Sequence, residues 1–252
     1  MSVSRNILNK LDGYSKSFFK NFDFYLDATD EIFALQGRMG LKTDVMQKLS
    51  EDDQNLVKTY LFLMESGNTT WVAALRLLSS NLFADSYSLI RILYEIGSLL
   101  HYGNSSPPET RKELYRVIFK SGLDDEAHRK QEWSLTQKAN RLIENENQGL
   151  TIIRNELNNF GSHVSLAKIV LGNVTVSVNS VISRVFTPNW SNRRYLAGLD
   201  LLFLAITFIL EEYATFQDTY NGISPEVKAI VKGLTNKFIT SIRPKLQSMI
   251  QE

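Results

Sequence analysis

Cysteine is absent from all 252 residues, and histidine occurs only three times. Disulfides and thiolate metal sites are thereby excluded. Three histidines are also a thin supply for a zinc site, which leans on imidazole and thiolate ligands. A cysteine-free chain suits a reducing compartment, and a cytoplasmic setting is the expectation. A surplus of either charge is lacking too, since 28 Lys and Arg stand against 27 Asp and Glu, for a net +1. No general field draws such a chain to nucleic acid or an acidic membrane, so contact with nucleic acid would need a local basic patch. Long hydrophobic runs are missing. The longest, the ten residues Leu201–Leu210, is closed off by Asp200 and by Glu211–Glu212. That falls well short of the roughly 20 residues that cross a bilayer, so it reads as a buried core helix. The opening stretch MSVSRNILNKLDGYSK has no apolar segment of the secretory type. No membrane is expected among the partners.

Familiar catalytic signatures are absent as well. The chain contains no GxxxxGK[ST], no GxGxxG, no HExxH and no GxSxG. No cofactor is expected, and whether the protein is an enzyme stays open.

What the chain does contain is helical periodicity. Ser50-Glu-Asp-Asp53 is a helix start with a cap and acids in the first turn. Gly67-Asn68-Thr69-Thr70 reads as a break in the helix that starts there. Asn81 to Gly103 forms a helix that Pro107 and Pro108 bring to an end. A long polar helix runs from Asp124–Asp125 to about Asn147, and another from Gly149 to Phe160 is closed by Gly161. Val174, Val176 and Val178 alternate with Thr175 and Ser177, which favours a strand, with Gly172-Asn173 as a turn; a continuous helix through Val181–Phe186 is the alternative. Asn189–Tyr220 is helical and carries the apolar run. Ser224 caps the last helix with Pro225 at its first position, and Pro244 kinks or ends it. The expected fold is all-α: one helical domain over residues 1–252, a bundle of about seven to nine helices with a small β-hairpin near 169–178.

Three constellations could carry chemistry. In the helix of residues 81–103, Leu89, Ile92, Leu93, Ile96, Leu99 and Leu100 cover one broad apolar side. Ser88, Arg91, Glu95, Ser98 and Tyr102 form a narrow polar stripe. Charges entering a core must pair, and Arg91 and Glu95 are spaced to pair across one turn. They are expected to be largely buried and bonded to each other. With Tyr94 and Tyr102 beside them they are candidate ligand-binding residues, Arg91 for an anion. In the second constellation, RNELNNFGSHVS, Arg154 sits on a helix and His163 follows its end. On an unbroken helix their side chains would point apart with roughly 13 Å of rise between them, so only a chain reversal at Gly161 brings them together. The alternative is a turn back towards the bundle that puts His163 near Glu95 instead, making it a third member of the Arg91–Glu95 site. The third is a basic C-terminus, with Lys228, Lys232, Lys237, Arg243 and Lys245 facing few acids; it reads as a solvated helix surface. His128 and Glu132 share a helical face and could in principle share a metal, but read as solvated too, and no metal is expected.

These residues carry two resemblances. The Arg-x-x-x-Glu helix (LIRILYEI) followed by NNFGSHVS resembles an uncharacterised group of bacterial helical proteins, in which an aromatic-x-His-Pro-Ser segment follows a similar helix. Phe160, His163 and Ser165 fill that pattern, and Val164 stands where proline is usual. This resemblance implies a helical fold and no reaction. Arg154-Asn155 and His163 are also similar to the Arg-polar…His signature of the HEPN superfamily of nucleotide-binding and RNA-cleaving helical proteins, with longer spacing. That resemblance implies a metal-independent ribonuclease in stress response or phage defence, with His163 as general base and Arg154 stabilising the phosphorane. The reading of the residues themselves is a cytosolic binding or interaction module for a small anion or nucleotide, with the HEPN-like nuclease as alternative and a homodimer left open.

Overall fold

The computed structural model describes residues 3–41, 43–80, 82–120, 126–146, 148–161, 174–177, 180–183 and 193–249. Nearly all of them are helical. In chain order the helices are α1 (Val3–Asn21), α2 (Asp23–Gln36), the single turn α3 (Thr43–Met46), α4 (Glu51–Ser79), α5 (Phe83–Ser105), α6 (Pro108–Tyr115), α7 (Glu126–Glu146), α8 (Gln148–Gly161), α9 (Arg193–Thr219), α10 (Pro225–Lys237) and α11 (Arg243–Ser248). π-helical turns, Arg116–Lys120 and Phe238–Ile242, prolong α6 and α10.

α5 is the hub. Its apolar breadth lets it pack against α4, α6, α7, α8 and α9, and Ile90, Leu93 and Leu100 are fully buried. α4 begins at the expected cap, where Ser50 Oγ accepts the amide of Asp53 at 3.2 Å, and three acids face the positive end of its dipole. It then runs without interruption, so the break expected at Gly67–Thr70 does not exist. Gly67 is a packing residue: a Cβ there would stand 3.0 Å from Ile209 Cδ1 and near Ile96. Asn68 Oδ1 accepts from Gln36 Nε2 at 3.0 Å, and Thr69 Oγ1 donates to the Glu65 carbonyl at 3.0 Å. The polar side chains are thus satisfied with the helix intact. Gly97 does for α5 what Gly67 does for α4, since its Cβ would meet the Phe208 ring at 2.5 Å. These glycines let α9 lie close against both helices.

α9 supplies the centre of the core. Leu202, Phe203, Ile206, Ile209 and Leu210 are buried, as the apolar run requires, whereas Leu201 and Leu204 are only partly so. Buried side chains form one continuous cluster from Phe18 to Leu246. Ser224 accepts the Val227 amide at 3.3 Å with Pro225 in the first turn of α10, and Pro244 falls at the start of α11, just past a π-helical turn. Arg243 fastens α11 to α9 through a two-pronged pair with Asp200, at 2.7 and 2.9 Å. The hairpin pairs Val174–Ser177 with Ser180–Ser183 in antiparallel register. Residues 181–183, for which a helix is the alternative, belong to the second strand, and Gly172-Asn173 lies outside the described residues. No helix among the described residues is long and apolar enough to cross a membrane.

Candidate functional site

Arg91 and Glu95 do pair, Nε to Oε1 at 3.0 Å, but their side chains keep 26% and 28% of their surface exposed. They are half-buried, not largely buried. The reason is tertiary: the face of α5 that carries Glu95 opens into a groove of about 470 Å³ bordered by α4 and α7. Phe62, Leu99, Val117 and Trp133 line that groove with Glu95.

The two tyrosines do not join this pair in one site. Tyr94 is 2% exposed, with its ring 6.2 Å from that of Phe208. Its hydroxyl has no hydrogen-bond partner among the described residues, and Ser98 Oγ donates to the Tyr94 carbonyl at 2.9 Å. Burial pushes its pKa up to about 12, against a smaller downward pull from Arg154. Tyr102 lies on the polar stripe two turns beyond Glu95, where burial raises its pKa and Lys138 and Glu113 act on it in opposite directions. Arg154 is committed to a salt bridge with Glu144 and is only 17% exposed. His163 lies outside the described residues, and so does the side chain of His128. Among the described residues no three His, Asp or Glu side chains form a group able to hold a metal ion. The C-terminal bases are largely matched by acids: Lys228 by Asp218, Lys237 by Glu31 and Arg243 by Asp200. Lys245 lies over the Phe24 ring at 5.4 Å.

The densest polar constellation is one the sequence did not single out. His101, near the end of α5, is gripped at both ring nitrogens. Nδ1 stands 2.8 Å from Glu212 Oε1 on α9, and Nε2 stands 2.7 Å from Glu146 Oε2 at the end of α7. The hydrogen bond that His101 donates to Glu212 is the largest influence holding its pKa up, at about 9. Burial opposes it and Glu146 adds to it. The ring is therefore an imidazolium at neutral pH, donating from both nitrogens. Asn104 completes the arrangement, its Nδ2 donating to Glu212 Oε2 at 2.7 Å and to the Glu212 carbonyl at 2.9 Å. The buried Tyr60 hydroxyl sits 3.0 Å from Asn104 Oδ1 and 3.1 Å from the Leu100 carbonyl, and the Tyr60 ring stacks on Phe216 at 3.8 Å. Arg111 donates to the Asn104 and Ser106 carbonyls, which closes the C-terminus of α5 behind the histidine.

This polar cluster borders a cavity of about 360 Å³ whose other walls include Leu150 and Ile153 of α8, Phe208 of α9 and Thr235 of α10. Glu211 also lines it. Its carboxylate accepts from Thr235 Oγ1 at 2.9 Å, and burial raises its pKa, with the charge of Glu212 adding to the rise. A signal for this site was present in the sequence. A histidine on a helix apolar around most of its circumference needs a partner, and Glu211–Glu212 continue the most apolar run in the chain. The pairing itself spans 111 residues to Glu212 and 45 to Glu146. No protein-family model, curated protein or solved structure matches this chain.

Proposed function

We propose that the chain is a helical binding module whose ligand site is the cavity beside His101. One observation carries this reading. Glu211 is a desolvated carboxylate lining the cavity, and the partner that reaches it is a neutral hydroxyl, Thr235. A carboxylate in that position is stabilised most by a positive group. His101 is already engaged by Glu146 and Glu212, so a cation for Glu211 would come from a ligand. The apolar walls from Leu150, Ile153 and Phe208 suit a hydrocarbon body. A small organic cation, an ammonium or guanidinium on an apolar frame, fits this cavity better than the anion or nucleotide expected from Arg91.

The nuclease reading asks Arg154 to hold a phosphate. Its guanidinium is neutralised by Glu144 and mostly buried, which supports the binding module over that alternative. The test is a thermal-shift comparison of amphiphilic amines with nucleotides and inorganic phosphate. Amines are expected to raise the melting temperature, and Glu211→Gln to remove most of that rise while the unliganded protein stays folded. Stabilisation by nucleotides and not amines would overturn the assignment. RNA cleavage lost in both Arg154→Ala and His163→Ala would favour the nuclease.

A further inference from the structure

The first turns of α7 border the groove into which Glu95 opens, with their outer face in water. Arg129 to Ser134 are exposed without interruption, and Trp133 keeps 61% of its surface in contact with water. Arg129, Glu132 and Trp133 are spaced i, i+3 and i+4, so they share one face of the helix. That face borders the groove of about 470 Å³ and meets Phe62, itself 50% exposed, across it. Indole is among the costliest groups to leave in water and among the commonest anchors at protein contacts.

We infer that this face is the contact between two copies of the chain, with α7 lying antiparallel to the partner's α7 across a two-fold axis. The charge pattern selects a second copy as the occupant. A two-fold axis crossing α7 between Arg129 and Glu132 sets Arg129 opposite the partner's Glu132, and the symmetry repeats the pair. Trp133, one residue further along, then comes beside the partner's Arg129, where the guanidinium can cover the ring face. A stripe with one base, one acid and one aromatic in that order is complementary to itself when reversed, which is what an isologous interface requires. The net charge of +1 offers little long-range repulsion between copies. The Phe62 side of the groove extends the apolar area beyond the helix pair.

This inference is independent of the His101 cavity. Sedimentation equilibrium of the full chain tests it. The expected species is a dimer with twice the 28.8 kDa of one chain. Trp133→Glu should be monomeric with an unchanged circular dichroism spectrum, since the side chain it replaces is mostly in solvent. Arg129→Glu should weaken the dimer at least about tenfold by placing like charges opposite each other. Adding Glu132→Arg to it should restore the affinity, because the reversed pair is complementary again. A monomeric wild-type protein up to its solubility limit would overturn the inference. So would a dimer that persists in Trp133→Glu, which would place the interface elsewhere, or a double variant no tighter than Arg129→Glu.

Discussion

Glu95 holds Arg91 at 3.0 Å with more than a quarter of each side chain in water. Exposure of that degree decides the energy. An i,i+4 pair screened by solvent contributes a few tenths of a kcal/mol, whereas a fully buried one leaves a costly stranded charge when it is cut. Glu95→Ala is therefore expected to destabilise by less than about 1 kcal/mol, and urea unfolding of the two proteins checks it. The sequence alone suggests a loss of about 3 kcal/mol or more, as for a buried pair. The spacing of these two residues was legible in the chain, because a pair across one turn needs no knowledge of tertiary structure. Their exposure was not, because it is set by how far α7 stands from α4. His101 shows the same limit from the other side: its partners are fixed only when α5, α7 and α9 come together.

At the level of elements, the local signals proved the most readable. Ser50 with Asp53, and Ser224 with Pro225, mark helix starts through contacts within three residues. Glycine is ambiguous by the same reasoning, since one residue type serves as helix stop, packing notch or neither. The structure sorts them. Gly97 sits under Phe208, and Gly97→Ala would drive a methyl group into the ring. A loss of about 1–3 kcal/mol is expected from such overpacking. Gly233 lies on the exposed face of α10 with nothing within 4 Å of its absent Cβ. Gly233→Ala should instead stabilise by roughly 0.5–1 kcal/mol, because alanine loses less conformational freedom in a helix. Calorimetric melting of both variants against the wild type reads the two signs in one experiment, and a loss of stability in Gly233→Ala would refute this account of α10.

For the molecule as a whole, His101 ties three helices at one point, and its charge makes that tie depend on pH. The folded pKa of about 9 lies above the ordinary 6.5. A histidine raised in this way adds stability that is fully present below about pH 6.5 and disappears as pH climbs through about 9. The contribution is on the order of 2 kcal/mol, less than the full shift implies, because Glu146 is half exposed and screened. The stability difference between wild type and His101→Gln, from urea unfolding, should thus shrink between about pH 6 and about pH 10. A difference that grows over that range would mean that the histidine is neutral in the folded protein.

The central place of α5 also has a consequence for how the chain is made. Its residues leave the ribosome long before those of α9, whose Glu212 comes 111 positions after His101. At about 5–20 residues per second that interval lasts roughly 6–20 s. Throughout it the nascent chain carries the flank of Leu93, Ile96 and Leu100 without the helix that covers it, and Gly67 and Gly97 hold open a slot for a helix not yet synthesised. Protecting that slot from other chains falls to the cell until α9 arrives.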